Sequence, residues 1–226
     1  MNPHAGRLRL IGISGSLRRG SYNAALLRAA AEMLPDDVDM TIGSIRGIPL
    51  YDADVEADPG APEAVTGLRD AIAQSDGLLL VTPEYNNSIP GVFKNAIDWL
   101  SSPPKEADRA FLGKPVAIIG ASSGGFGTIL AQNAWLPVLR ALGAEHWPGG
   151  RLMVSRAGAA FDASGKLVDH AVATCDTDRG LGIQAREGVE RLVHHLQHRP
   201  AEVLDLAVLV GRPFHRGEAR GDLGDL

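Results

Sequence analysis

The sequence predicts an α/β fold in which helices cover both faces of a parallel β-sheet. Strand-like and helix-like segments alternate along the 226 residues, and two of the strand-like segments are apolar throughout. Alternation of this kind implies right-handed βαβ crossovers, and a wholly apolar strand is typical of a sheet that is buried on both faces. The composition, with 45% hydrophobic and 22% charged residues, is that of a globular protein.

The N-terminal part of the chain predicts a strand, a helix and a second strand. Residues 7–13 (RLRLIGI) have the apolar content of a strand and run into a Gly/Ser turn. Residues 23–34 carry apolar side chains at helical spacing, and the proline that follows them ends the helix. Residues 40–45 predict the second strand. The acidic stretch 47–62, which contains prolines, predicts a loop.

The central part of the chain predicts a buried strand between two helices. The spacing of Val65, Leu68 and Ile72 indicates a helix. Residues 77–81 (GLLLV) are one of the two wholly apolar runs and predict a central strand. Residues 90–100 indicate a helix with proline in its first turn, where a missing N–H does no harm.

The remaining elements complete the sheet. Residues 115–120 (PVAIIG) predict another buried strand, and a helix is expected over residues 128–142, kinked or restarted at Pro137. Residues 151–155 supply the fifth strand and residues 188–196 the last amphipathic helix. An apolar run after residue 200 and a Gly/Arg/Asp-rich end follow, and we expect that end to be mobile.

Composition and charge exclude several classes of partner. The formal net charge of −5 leaves no broad basic surface for nucleic acid. No stretch approaches the roughly 20 apolar residues that a membrane span requires, and the N-terminus has no apolar segment typical of a signal peptide. The single cysteine, Cys175, excludes an internal disulfide and fits a reducing compartment. We therefore expect a soluble cytoplasmic protein.

Three loops of unusual composition follow the strands that end near Ile13, Val81 and Gly120. We name them loop 1 (residues 12–23), loop 2 (residues 82–91) and loop 3 (residues 121–127). In open parallel sheets, ligands bind beyond the carboxyl ends of the strands, where the strand order switches direction. All three loops are expected at that edge, which makes them the candidate functional site.

Loop 1 has the composition of an anion site. Small and hydroxyl residues precede a helix, whose free N–H groups and dipole favour a negative charge. Ser16, Ser21 and Asn23 can donate hydrogen bonds, and the Arg18 guanidinium adds a positively charged group that can donate two parallel hydrogen bonds. A phosphate suits this set, although an ordinary turn capped by Ser21 or Asn23 is the alternative. Neither G-x-G-x-x-G nor a Walker lysine is present.

Loops 2 and 3 suit a planar ring. Loop 2 is framed by prolines and carries an aromatic residue and two amides, so a heteroaromatic ring could rest there with Asn86 at its polar edge. A stiff surface turn built from Asx turns is the alternative. In loop 3, Gly124, Gly125 and Gly127 permit a close approach of the backbone to a ligand, whereas flexible linkage is the alternative.

The three loops together resemble the NADPH-dependent FMN reductase family, which includes chromate, quinone and azo-dye reductases. The matching motifs are GISGSLRRGSYN, VTPEYNNSIPGVFKNAIDWLS and GKPVAIIGASSGGFGT, and the likeness covers residues 8–154. It implies a flavodoxin-like three-layer sandwich with a five-stranded parallel sheet. It also implies bound FMN, NADPH or NADH as co-substrate, and hydride transfer to a quinone, azo, chromate-type or flavin acceptor. Residues 1–198 would then be the FMN-binding reductase domain and residues 199–226 a C-terminal extension.

The resemblance also implies which residues hold the cofactor. Those expected at the FMN phosphate are Ser16, Arg18, Ser21 and Asn23. Those expected along the isoalloxazine ring are Pro83, Glu84, Tyr85 and Asn86, and those at its pyrimidine edge are Ser122, Ser123, Gly124 and Gly125. No side chain is required as a catalytic acid or base, because FMN carries the chemistry. A homodimer or homotetramer is implied, with residues 91–100 near the subunit contact.

Two other functions fit parts of the sequence. Residues 120–124 match the G-x-S-x-G elbow of serine hydrolases, with Ser122 as nucleophile, Asp162 or Asp169 as acid, and His194 or His195 as base. That reading leaves loops 1 and 2 unexplained. A flavodoxin-like electron carrier without enzymatic activity is the second alternative. His194 and His198 are one helical turn apart, but no third metal ligand is evident, so no metal site is predicted.

Overall fold

A computed structural model describes residues 7–168 together with Val193, His194 and Gln197. In the described part of the chain, the centre is a parallel sheet with the strand order β2-β1-β3-β4-β5, and β6 also pairs with β4. The strands are β1 (Leu8–Ser14), β2 (Val38–Gly43), β3 (Gly77–Val81), β4 (Pro115–Ala121), β5 (Glu145–His146) and β6 (Leu152–Val154). The order 2-1-3-4-5 is that of flavodoxin-like sheets, which confirms the predicted fold class.

The fifth position of the sheet is shared by β5 and β6. β5 pairs with Pro115 and Val116 at the start of β4, whereas β6 pairs with residues 119–121 at its end. A single 3-10 turn, Pro148–Gly150, separates the two short strands. Because Pro148 has no N–H to give to a ladder, the edge strand is interrupted. The sheet therefore has the five predicted strand positions, but the fifth position is filled by two short strands, β5 and β6.

The described helices confirm the four predicted within this part of the chain and add three short ones. The helices are α1 (Tyr22–Glu32), α2 (Ala53–Ala57), α3 (Glu63–Gln74), α4 (Gly91–Leu100), α5 (Pro104–Phe111), α6 (Ile129–Ala141) and α7 (Ala157–Ala160). The prediction of a loop over residues 47–62 is wrong where α2 forms, because the Asp52 carboxylate accepts the Asp54 N–H at 2.9 Å and caps it. α6 continues through the exposed Pro137 and does not restart.

The second strand begins earlier than predicted. It spans Val38–Gly43 instead of residues 40–45, because Val38 is buried and pairs with Leu8. The strand ends where the Ser44 hydroxyl accepts the N–H of Arg46 at 3.1 Å and turns the chain. Ile45 is nevertheless buried, so its apolar character reflects packing against the sheet from the loop.

Alternate residues of the central strands point into two apolar layers. In β3, Leu79 and Val81 pack with α1, whereas Leu78 and Leu80 pack with α3, α4, α5 and α6. This period of two is what a strand covered on both faces requires. Val193 is helical and buried in the same layer as α1. The rest of the predicted helix 188–196 and the boundary at residue 198 lie outside the described residues.

Candidate functional site

The three loops begin side by side at one edge of the sheet. The Gly15 N–H donates to the Val81 carbonyl at 2.9 Å, and the Thr82 N–H donates to the Ile119 carbonyl at 2.9 Å. These bonds extend the ladders of β1, β3 and β4 by one step beyond the strands. Loop 1 therefore lies next to loop 2, and loop 2 lies next to loop 3, as the sequence predicted for the carboxyl ends of parallel strands.

Asn23 ties α1 to the end of β4. Its side-chain amide donates to the Ala121 carbonyl at 2.8 Å, and its side-chain oxygen accepts the Ala121 N–H at 2.9 Å. The residue is only 4% exposed. The pair reproduces the two bonds that a neighbouring strand would make. The side chain for which a phosphate contact was predicted is therefore directed at Ala121, where it holds the start of loop 3 against α1.

Loop 1 presents donors that the protein itself leaves available. Ser21 caps α1 by accepting the Ala24 N–H at 3.2 Å, and Ser16 accepts the Arg18 N–H at 3.3 Å, so both hydroxyl protons remain free to be donated. Within the described part of the chain, the amides of residues 17, 19 and 20 donate to no protein acceptor. The buried Ser14 hydroxyl likewise has no partner there. With the exposed Arg18 guanidinium, this is the donor set of an anion site.

The tip of loop 2 is a two-residue hairpin. Tyr85 and Ser88 exchange backbone hydrogen bonds of 3.1 and 3.0 Å. Asn86 and Asn87 between them have φ values of 50° and 61°, the left-handed pair that a type I′ turn requires and that asparagine tolerates. The hairpin fixes the Asn86 backbone and leaves the ring of Tyr85 49% exposed. Pro83 lies below it and is buried.

Glu84 faces a helix terminus. Its Oε2 accepts the Leu130 N–H at 2.8 Å and the Ala131 N–H at 3.0 Å. These amides belong to the first turn of α6, whose N-cap residue Thr128 makes no side-chain capping bond. A carboxylate at this end of a helix is favoured by both hydrogen bonding and the helix dipole. Glu84, predicted to line the ring, thus links loop 2 to α6.

A buried polar network supports loops 2 and 3 from below. The Trp135 indole N–H donates to the Thr82 hydroxyl at 3.2 Å, which in turn donates to the Pro83 carbonyl at 2.8 Å. Gln132 donates to the Thr128 hydroxyl at 3.0 Å. The sequence reasoning missed these residues. The available signal was the polar Gln132 on the apolar face of a helix, since a buried polar side chain requires a partner.

Gly120 permits loops 2 and 3 to approach each other. A Cβ atom at this position would lie 2.0 Å from the Thr128 hydroxyl oxygen and 2.3 Å from the Thr82 carbonyl oxygen. Neither group has room to move, because both threonines are fully buried. The glycine is therefore required by packing below the loops, not by contact with a ligand.

Loop 3 is anchored at Ser122 and Gly124 and open at Gly125. The Ser122 N–H donates to the Val154 carbonyl at 3.0 Å, and the Arg156 N–H donates to the Gly124 carbonyl at 2.9 Å. Arg156 has a left-handed φ of 47°, which is uncommon for a residue with a side chain. A Cβ at Gly125 would meet no atom within 4 Å. Bare backbone is therefore accessible at the middle of the loop, next to the 84% exposed Phe126.

One of the acids of the hydrolase alternative, Asp162, is engaged by its own turn. Asp162 Oδ1 accepts hydrogen bonds from the Ser164 hydroxyl at 2.6 Å and from the N–H groups of Ser164 and Lys166 at 2.9 Å. The Ser164 hydroxyl, followed by the Lys166 N–H, lowers the pKa of the Asp162 carboxyl. All three bonds come from its own turn. Asp169 and His195 lie outside the described residues, and within those residues no three His, Cys, Asp or Glu side chains form a metal site.

Comparison of the sequence with known proteins gives a consistent result. A family model described as NADPH-dependent FMN reductase matches residues 8–159. An NAD(P)H-dependent FMN reductase from Pseudomonas aeruginosa is 48% identical over 162 residues, which are 72% of this chain and 85% of that protein. A quinone reductase from Escherichia coli is 45% identical over 127 residues, 56% of this chain and 66% of that protein.

Comparison of the fold agrees with the sequence match. A solved structure titled FerB, a flavoenzyme NAD(P)H:(acceptor) oxidoreductase from Paracoccus denitrificans, superposes with a TM-score of 0.68 at 31% identity. The match covers 84% of this chain and 97% of that structure. The family-model match, over residues 8–159, includes the described sheet and all three loops.

Proposed function

Because the chain belongs to the NADPH-dependent FMN reductase family, we propose that it oxidises NAD(P)H and passes the electrons through bound FMN to a quinone. The chain is a flavin-dependent oxidoreductase of flavodoxin-like fold. The observation that carries the proposal is the convergence of the three loops, which the Gly15–Val81, Thr82–Ile119 and Asn23–Ala121 hydrogen bonds join at one edge of the sheet.

The donor set of the loops fits FMN. Loop 1 offers free amides, two hydroxyl protons and the Arg18 guanidinium to a phosphate dianion. Loop 3 offers open backbone at Gly125, where a flat ring can approach. When bound, FMN accepts a hydride from NAD(P)H and returns electrons to the acceptor.

In this proposal the side chains of loop 1 neutralise and orient the phosphate. Ser16 and Ser21 donate their hydroxyl protons, while Arg18 supplies the positive charge that the chain as a whole lacks. Asn23 contributes indirectly, since its amide positions α1 against Ala121. Loss of Arg18 should therefore weaken cofactor binding, whereas loss of Asn23 should disturb the scaffold.

Loops 2 and 3 would border the ring. Pro83, Tyr85 and Asn86 present the rigid hairpin to one side of it. On the other side, the backbone of Ser123, Gly124 and Gly125 would meet the pyrimidine edge. The Ser122 N–H, predicted for the same edge, is instead held by the Val154 carbonyl at 3.0 Å. N–H groups held at that edge would stabilise the negative charge that grows on reduction, and the bonds at Ser122 and Gly124 fix the first part of the loop. No protein acid or base is needed.

The quinone acceptor is supported by the names of relatives. Besides the E. coli protein, a Burkholderia relative that is 46% identical over 126 residues is named 2-hydroxy-1,4-benzoquinone reductase. Quinones are flat and apolar, and the exposed rings of Tyr85 in loop 2 and Phe126 in loop 3 would each offer a flat apolar face. We propose a quinone as the preferred acceptor over azo dyes and chromate.

We further propose a homodimer or homotetramer located in the cytoplasm. A groove of about 340 Å³ between α4 and α6, lined by Ile97, Val138 and Leu142 among others, supports a subunit contact there. In the described residues no helix has the length and apolar character needed to cross a membrane. Light scattering of the purified protein tests the oligomeric state. The division at residues 198 and 199 stays a proposal, to be tested by truncation.

The decisive experiment is an absorption spectrum of the purified protein, followed by anaerobic addition of NADPH and then a benzoquinone. We expect a flavin spectrum that NADPH bleaches and the quinone restores. A protein that binds no FMN and oxidises no NADPH contradicts the proposal. Reduction by a partner protein alone favours the electron carrier, and labelling of Ser122 by a serine-hydrolase probe favours the hydrolase.

A further inference from the structure

The first turn of α6 depends on a side chain from another loop. α6 is 13 residues long, yet its N-cap residue Thr128 makes no capping bond. The Thr128 hydroxyl instead accepts a hydrogen bond of 3.0 Å from the Gln132 side-chain amide. Two of the amides that a helix leaves unpaired, those of Leu130 and Ala131, both donate to Glu84. Both bonds end on the same oxygen, Oε2.

The same contact fixes the path of loop 2. At its start, the Thr82 N–H is held by Ile119, and two residues later the Glu84 carboxylate is held by α6. The hairpin that begins at Tyr85 follows directly. The segment that would border the ring is therefore clamped between β4 and α6, and Glu84 is the clamp on the α6 side.

The contact also balances charge at the ring site. A helix N-terminus carries a partial positive charge of about half an elementary charge. The Glu84 carboxylate lies on it, so the positive end of α6 is neutralised inside the group of loops proposed to hold the flavin. Removal of the carboxylate's charge alone would leave that positive end uncompensated.

We propose that Glu84 is a positioning residue that acts through α6: it clamps loop 2 and, by neutralising the helix N-terminus, lowers the reduction potential of the bound flavin. The inference rests on the proposed function, since it assumes that loops 2 and 3 border FMN. It differs from direct binding, because the carboxylate is directed at backbone amides.

Two substitutions at Glu84 separate the effect of its hydrogen bonds to α6 from the effect of its negative charge. Glu84→Gln keeps an oxygen that can accept both N–H groups but removes the charge, so we expect FMN affinity within about twofold of the wild type and an upward shift in midpoint potential. Glu84→Ala removes both, so we expect the upward shift together with an FMN dissociation constant raised about tenfold. Glu63→Gln is the matched control, because Glu63 is an exposed glutamate in the first turn of α3.

Three measurements test the proposal on the full chain. Anaerobic spectroelectrochemical titration gives the midpoint potential, fluorescence titration gives FMN affinity, and hydrogen exchange in FMN-free protein reports the Leu130 and Ala131 amides. We expect Glu84→Ala to speed exchange at these two amides without FMN, which a residue that only contacts the flavin would not do. Glu63→Gln should change none of the three.

Unchanged potentials in both Glu84 variants, or unchanged exchange in Glu84→Ala, would overturn the proposal. The function itself would survive that result, provided the wild type binds FMN and oxidises NADPH. If the wild type binds no FMN, the proposed function fails and the proposal falls with it, while the exchange measurement still shows whether Glu84 caps α6.

Discussion

The residues beneath the three loops and those on their outer surface differ in burial and in partners. The support, which we define as Asn23, Thr82, Gly120, Thr128 and Trp135, is buried, and its polar atoms are bonded within the protein. The rim, defined as Arg18, Tyr85, Gly124, Gly125 and Phe126, is exposed. Apart from Trp135, both regions belong to the same sequence motifs, so membership of a motif does not tell which task a residue has.

The difference follows from the cost of burying polar groups. A buried donor or acceptor without a partner costs about 1–3 kcal/mol, so the identity of a support residue is set by folding. A rim residue faces water in the folded chain and loses little when replaced. Substitutions in the support should therefore lower the free energy of unfolding, whereas substitutions in the rim should lower ligand affinity. Each substitution below tests this expectation for one or two residues.

Asn23→Ala should have the largest effect. It leaves the buried N–H and carbonyl of Ala121 without partners, which we expect to lower the free energy of unfolding by about 3 kcal/mol. Urea denaturation of the FMN-free protein measures it. Asn133→Ala removes an exposed amide whose oxygen accepts a hydrogen bond from the Arg151 guanidinium at 2.9 Å, and because that bond is exposed the variant should lose less than about 1 kcal/mol. Equal stability of the two variants would show that Asn23 does not belong to the support.

Two glycines of adjacent segments provide a second comparison. Gly120→Ala forces a Cβ against buried Thr82 and Thr128, and we expect a loss of about 2 kcal/mol in unfolding free energy. Gly125→Ala meets no atom within 4 Å, so the FMN-free protein should keep its stability while FMN binds more weakly. A stable Gly120→Ala protein would contradict the packing argument, and tight FMN binding by Gly125→Ala would remove Gly125 from the ring site.

Arg18→Ala tests the rim at the phosphate. Loss of a charge-assisted contact should raise the FMN dissociation constant about tenfold, which corresponds to about 1.4 kcal/mol. The stability of the FMN-free protein should not change, because Arg18 is exposed. Arg19→Ala alters the neighbouring exposed arginine and serves as the control in the same fluorescence titration. An equal loss in both variants would indicate general attraction of the anion instead of a contact by Arg18.

The strands of the sheet were predictable where burial on both faces requires a continuous run of apolar residues. Residues 77–81 are apolar on both faces and were located to the residue. β5 was not predictable, since two residues, Glu145 and His146, carry no periodicity and form a strand only by pairing with β4. α2 depends on distant contacts as well: the Glu56 carboxylate accepts the hydroxyl of Ser102 at 2.7 Å, a residue after the end of α4.

The site was predictable as a place but not as a set of contacts. The loops follow apolar strands, so their common edge follows from the fold. Which way Asn23 and Glu84 face does not, because their partners are 98 and 46 or 47 residues away in the chain. A motif identifies residues near a ligand, and it takes the tertiary structure to separate those that contact the ligand from those that hold the loops.

Phe126→Ser should have the smallest effect on folding and is the sharpest test of the rim. The side chain is 84% exposed, so the unfolding free energy should change by less than about 0.5 kcal/mol. If the ring contacts a flat acceptor, KM for a benzoquinone should rise while KM for ferricyanide, which has no flat apolar face, stays the same. Steady-state assays with both acceptors measure this. A parallel change for both acceptors would place Phe126 in the support of loop 3, and no change would remove it from the acceptor site.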